Sequence, residues 1–206
     1  MNSGHILLAI LWILYGVLHS VLASLAVKNP VQKKWPGIYR YYRLCYTIFS
    51  FISLGALLWF QFSLYSFLLF QRTGLTNIIG LIIVISGMVL MVHCIKKYFF
   101  SLSGIRSLVS DDDGAELQIS GIHRYVRHPL YLGTFAFVWG IFIFYPALSW
   151  LIATVVLTGY TLIGIRLEEK KLLTIFGGRY RRYQEEVPML IPRPGNKKTM
   201  PAKTNA

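Results

Sequence analysis

"RHPLYLGTFAFVWGIFIFYPALSWLIATVVLTGYTLIGIRLEEKK", residues 127–171, is the stretch on which the fold turns. It opens with an arginine and a histidine set against a proline, runs through an apolar segment, turns at Pro146, and ends again in charge. Two apolar helices joined by almost no loop lie antiparallel and side by side. Counted outward from Pro146, His128 and Gly164 are each eighteen residues away. At ~1.5 Å per helical residue that is about 27 Å, close to the ~30 Å of a bilayer core. The "RHP" cluster and "GIRLEEKK", residues 164–171, are therefore expected at one membrane face.

The rest of the chain reads the same way. Its 206 residues are 55% hydrophobic and 14% charged, where a soluble domain carries about a quarter charged residues. Apolar runs at 5–26, 44–70 and 75–95 precede those at 129–145 and 147–167, and each approaches the ~20 residues that span a bilayer. The expected fold is an all-α integral membrane protein of about five transmembrane helices. It has a tight C-terminal helical hairpin and a short amphipathic cytoplasmic cap, "EEKKLLTIFGGRYRRYQEEV", residues 168–187. Residues 1–192 read as a single domain, and 193–206 as a disordered basic tail.

Charge checks this partition. Lys28, Lys33, Lys34, Arg40 and Arg43 fall between the first two spans, and Arg72 alone between the next two; five more basic residues precede the hairpin and ten lie from Arg166 onward. That alternation predicts an amino terminus outside, a carboxy terminus in the cytoplasm, and a cytoplasmic charged end for the hairpin. The net charge of +13 thus belongs to loops beside a lipid bilayer. A nucleic-acid-binding domain would instead carry its charge on one face of a soluble fold.

Other signals are bland. Cys45 and Cys94 sit in or near apolar segments and form no disulfide framework. The ending "KTNA" is not a prenylation box. The apolar start lacks the basic n-region of a signal peptide and reads as an uncleaved first span. "SDDDGAE", residues 110–116, lacks the spacing of a calcium loop, with Ile122 where the closing glutamate would stand; it reads as a solvated turn, and no metal site is expected.

The hairpin's charged end carries the chemistry. Pro129 suits the first turn of a helix, where its missing N–H costs nothing, and that helix start favours an anion. Arg127 and His128 add charge-assisted donors. Arg166 and Glu169 are three residues apart on one helical face, and a carboxylate there can hold an ammonium group. Gly133 and Gly164 leave room for a flat group. Together these make a zwitterion-sized pocket. The competing reading is plain anchoring, with Arg and His snorkelling to the interface and "EEKK" forming a solvated helix face.

"SGIHRYVRHPLYLG", about thirty apolar residues, and then "RLEEKKLLTIFGGRYRRYQEEVPMLIP" together resemble the isoprenylcysteine carboxyl methyltransferase superfamily over roughly residues 95–192. Phospholipid N-methyltransferases and thiol S-methyltransferases belong to the same group. "LHSVLASLAVK" and "YFFSLSGIRSL" look more like its methanethiol S-methyltransferase and nitric-oxide-reductase-linked branch. The resemblance implies a methyltransferase that binds S-adenosylmethionine within residues 95–192 and serves a lipophilic or membrane-associated acceptor. It places Arg127, His128, Pro129, Tyr131, Gly133, Glu169, Tyr180 and Tyr183 at the cofactor, and Arg166 and Glu169 near the reacting centre.

The acceptor stays open among prenylated carboxylate, phospholipid amine, small thiol and quinone-like molecules, because family membership does not fix the substrate. A reductase relative would use NADPH instead. A different class is a haem-binding electron-transfer protein, in which His19 and His93 would serve as axial ligands. A third class is a non-catalytic assembly or transport component. The sequence leaves the oligomeric state undecided.

Overall fold

The computed structural model describes residues 2–102, 117 and 119–192; the "SDDDGAE" stretch and the tail from 193 lie outside the described residues. Helix α1 covers Ser3–Ala23, α2 Leu25–Lys34, α3 Pro36–Ser63 and α4 Gly74–Leu102. After a 3₁₀ turn at Gly121–Arg124 come α5, Pro129–Phe144, α6, Leu148–Phe176, and α7, Gly178–Glu186. The protein is all-helical among the described residues, with one isolated β-bridge, Leu68 to Ala147.

Local chemistry sets the ends. The Asn2 side chain caps α1 by accepting the His5 amide at 3.3 Å. Before α4, Thr73 and Thr76 cap reciprocally, each hydroxyl accepting the other's backbone N–H, which satisfies donors that a helix start leaves open. Pro36 occupies the first turn of α3 and Pro129 that of α5, as a missing N–H allows. Gly177, at φ +53°, separates α6 from α7 in a conformation that glycine adopts without steric cost.

Four helical segments are long and apolar enough to cross a membrane: Ser3–Ala23, Leu44–Ser63, Gly74–Lys96 and Leu148–Phe176. Five were expected. The fifth, α5, is apolar throughout but has 16 residues, or about 24 Å against a core of ~30 Å. The second span also ends early, at Ser63 rather than 70. Residues 66–69 instead serve the turn between α5 and α6. The Leu69 N–H donates to the Pro146 carbonyl at 2.8 Å, and the Leu148 N–H to the Phe67 carbonyl at 3.1 Å. The Ser149 N–H donates to Ser66 Oγ at 2.9 Å. Peptide groups of a turn in apolar surroundings need such partners, a demand that hydropathy does not register.

The chain gathers into two compact units. The first comprises Met1–Gly80 and Ile141–Thr161. Its core is Leu8, Trp12, Leu57 and Ala153, and the Trp12 indole donates to Gln61 Oε1 at 2.8 Å. Apolar side chains such as Ile52 and Trp59 point outward from α3, as lipid-facing residues do. The second unit comprises Leu81–Gly140 and Leu162–Ala206. There α4 crosses α5 at glycines: a Cβ on Gly87 would lie 2.6 Å from the Gly133 carbonyl oxygen and from the Phe137 nitrogen. Small residues permit this backbone approach. It fixes the helix that starts at Pro129.

Candidate active site

All residues of the site belong to the second unit. Glu169, in the last third of α6, is its hub. Its Oε1 accepts from Arg127 Nε at 2.8 Å, Arg127 Nη2 at 2.8 Å, His128 Nε2 at 3.2 Å and the Tyr180 hydroxyl at 3.4 Å. Its Oε2 accepts from Gln184 Nε2 at 3.1 Å. The Arg127 and Glu169 side chains are only 10% and 16% exposed, so this ion pair is screened far less than one on the surface.

Arg127 is held on a second side. Its Nη1 donates to the Gln184 carbonyl at 2.9 Å and to the Val187 carbonyl. The Arg127 and His128 backbone amides donate to the Pro188 and Met189 carbonyls at 2.9 and 3.1 Å. A residue before proline is driven to extended backbone, which suits His128 to pair with the extended segment after α7. His123 Nδ1 donates to the Arg127 carbonyl at 3.1 Å, and the Tyr183 hydroxyl to the His123 carbonyl at 2.6 Å. The result is a clasp, with the "RHP" backbone gripped by the chain's end and its side chains gripped by α6.

The amphipathic cap supplies the clasp's apolar backing. Tyr180, Tyr183 and Val187 recur at helical spacing and are buried against Leu117, Ile119, Leu172 and Phe176, while Arg179, Arg181 and Arg182 face outward. Burial pushes the Tyr180 hydroxyl well above the ordinary tyrosine range, and the neighbouring charge of Glu169 pushes the same way.

The expected site residues thus fall into two groups. Arg127, Gly133, Tyr180 and Tyr183 are committed to protein contacts. The slot foreseen at Gly133 is taken by α4, since a Cβ there would meet Met91 Cγ at 2.9 Å and the Gly87 carbonyl at 3.0 Å. Tyr131 is half-buried with its ring 5.6 Å from that of His128, and Pro129 is buried at the start of α5. Gly164 has nothing within 4 Å of where a Cβ would stand. Arg166 is exposed, and Glu169, three residues on, turns to Arg127 instead. Glu168, 44% exposed, approaches His128 Nδ1 at 3.9 Å.

Gln184 and the carbonyls of 187–189 were not foreseen. Gln184 lies four residues after Tyr180, a polar side chain on the cap's inner face, and that placement was the available signal. The carbonyls carry none. Of the haem-ligand pair, His19 in the first unit contacts the Tyr46 hydroxyl, and His93 in the second is exposed.

A family model described as "Phospholipid methyltransferase" matches residues 75–179, from α4 through the hairpin. The methanethiol S-methyltransferase of Crocosphaera subtropica is 30% identical over 89% of this chain and 73% of its own length. Methanethiol S-methyltransferase 2 of Bradyrhizobium diazoefficiens is 29% identical over 93% and 75%. A shorter match, 36% identical over 37% of this chain and 33% of the relative, is to the protein-S-isoprenylcysteine O-methyltransferase of Schizosaccharomyces pombe. No solved structure matches. Fold, site and relatives together define an integral membrane methyltransferase. The chain belongs to the phospholipid methyltransferase family, within the isoprenylcysteine carboxyl methyltransferase superfamily.

Proposed function

We propose that this enzyme moves a methyl group from S-adenosylmethionine to the sulfur of a small, membrane-permeable thiol. The observation that carries the reading is the wiring of His128. With Nε2–H donated to Glu169, the imidazole keeps a lone pair on Nδ1, and 3.9 Å from Glu168 that nitrogen has no hydrogen-bonded donor among the described residues competing for it. A base oriented by a carboxylate suits an acceptor that must lose a proton. A thiol must, because the thiolate is the nucleophile. Two relatives that match along most of this chain bear the name of a thiol methyltransferase.

The residues left uncommitted fit the cofactor. Arg166 and the start of α5 offer positive partners for its carboxylate, Glu168 offers a negative one for its ammonium, and the open space at Gly164 offers room for a flat ring. When bound, S-adenosylmethionine would supply a methyl group on a positively charged sulfur; a thiolate would take that methyl in line as the sulfonium carbon–sulfur bond breaks and S-adenosylhomocysteine leaves. His128 Nδ1 takes the thiol proton, and the resulting imidazolium lies between two carboxylates. Arg127 and Gln184 hold Glu169 still while this happens, since positioning is most of what such a displacement requires. The alternation of basic loops supports a cytoplasmic placement of this site, with the amino terminus outside.

The test is headspace detection of dimethyl sulfide from purified protein supplied with methanethiol and isotopically labelled S-adenosylmethionine. His128→Gln should lose most activity near neutral pH and regain it as the pH rises past the thiol's own pKa. A second reading, methylation of an isoprenylcysteine carboxylate, is favoured by the S. pombe relative. A carboxylate arrives ionised and needs no base. Methyl ester on a farnesyl-cysteine peptide, undiminished in His128→Gln and without any thioether product, would replace the thiol reading.

A further inference from the structure

The first unit holds a cavity of about 260 Å³ between α1 and α3. On α1 its lining runs from Leu11 to His19, and on α3 from Phe49 to Phe60. Eleven residues of rise make it roughly 16 Å long. It is graded along that length. Leu11, Leu57 and Phe60 line one end, while His19, Ser50 and Ser53 gather at the other.

The His19 ring is served by hydroxyls alone. The Tyr46 hydroxyl lies 3.0 Å from both ring nitrogens and can donate to the bare one or accept from the N–H. Ser50 Oγ approaches Nδ1 at 3.4 Å, a long contact. That long contact is one a guest hydroxyl can replace, and an ionisable ring inside a membrane span is a functional feature by default.

The remaining properties select the occupant. The lining contains no Asp, Glu, Lys or Arg, so an ionised head group would be buried without a counter-charge, at high cost. The volume falls just below the usual range of ligand pockets, ~300 to ~1,000 Å³; one chain fits, whereas a two-chain lipid or a macrocycle does not. Leu14, Leu18 and Phe49 at the rim are 47%, 39% and 46% exposed, so the opening faces the lipid side of the helices. We propose that this groove binds a single-chain, uncharged lipid alcohol that enters sideways from the bilayer, with its hydroxyl on His19 and its chain along Leu11, Leu57 and Phe60.

The inference needs neither the cofactor nor the methyl-transfer reading. Its test is photo-crosslinking of the full chain in lipid nanodiscs with a diazirine-bearing dodecanol, mapped by mass spectrometry. Label should concentrate on the groove-facing residues of α1 and α3 and be displaced by plain dodecanol. Ala56→Phe fills the groove from an exposed lining position and should abolish the displaceable label. His19→Phe keeps the ring, removes the hydrogen bond and should weaken displacement about tenfold. A Ser53→Leu variant provides a second filling change should Ala56→Phe fail to fold. Label that dodecanol does not displace, label that survives groove filling in a folded variant, or displacement by dodecanoate as strong as by dodecanol would each overturn the proposal.

Discussion

The clasp around Glu169 and the groove around His19 each set a histidine beside apolar helices, and they differ in how far the polar groups are satisfied. In the clasp, one carboxylate collects four donor residues, Arg127, His128, Tyr180 and Gln184, and the end of the chain supplies backbone acceptors. In the groove, His19 has hydroxyls only. A dense ionic network fixes geometry and leaves few ways to rearrange. A sparse hydroxyl network with one long contact, Ser50 Oγ to His19 Nδ1 at 3.4 Å, lets a guest hydroxyl take a partner's place. The first arrangement suits positioning for a reaction, the second reversible occupancy.

The sharpest way to break that contrast is a double-mutant cycle on the ion pair. Glu169→Leu leaves Arg127 buried and unpaired, which costs roughly 3–5 kcal/mol for a pair of this kind. Arg127→Leu strands the carboxylate in turn. The double variant should recover much of the loss, because an apolar pair of similar volume tolerates burial. Thermal unfolding in detergent reads all three, and simple additivity of the singles would show that the clasp does not act as one unit.

Next in size is the glycine crossing that aims α5. Gly87→Val sets a Cβ 2.6 Å from the Gly133 carbonyl oxygen and the Phe137 nitrogen, and overpacking of this kind costs typically about 1–3 kcal/mol. The expected signature is a lower unfolding temperature with loss of cofactor binding. Unchanged thermal stability would mean that the α4–α5 contact does not support the site.

A smaller effect follows from Tyr180. Its hydroxyl titrates above the usual tyrosine range when folded, so the folded chain keeps a proton that the unfolded chain releases above pH ~10. The contribution is fully present below that pH and is lost as pH rises through the folded value. Wild type should therefore lose stability above pH ~10 more steeply than Tyr180→Phe. Parallel curves for the two would remove Tyr180 from the account of the clasp.

How much of this was legible in the sequence depends on which kind of constraint set each part. Helix hydropathy located α1, α4, α5 and α6, because burial in lipid acts residue by residue. The turn at Pro146 brought residues 127–128 and 169 together on paper, since an antiparallel hairpin leaves them little choice. Residues 66–69 were read as helix because their role is set by the unpaired peptide groups of a distant turn. Gly133 was read as part of a slot because a glycine announces only that something comes close, and here it is α4. Arg127 reads in the sequence as a donor for a bound anion, because the carbonyls its guanidinium meets, at Gln184 and Val187, are backbone groups that any residues would supply.

Gly164 is where the two readings of a glycine part most cleanly. Gly133 has a backbone against it, and Gly164 has open space. If that space is the slot for the cofactor's ring, Gly164→Leu should leave the fold intact, or stabilise it slightly, because leucine is the better helix former by up to about 1 kcal/mol. It should nevertheless weaken S-adenosylmethionine binding strongly, as measured by calorimetric titration beside a thermal melt of the same sample. Gly133→Leu should fail in the opposite order, losing the melt first and binding only as a consequence. Unimpaired binding by a stable Gly164→Leu protein would move the cofactor off this face of α6 and leave Arg166 and Glu168 without their assigned roles.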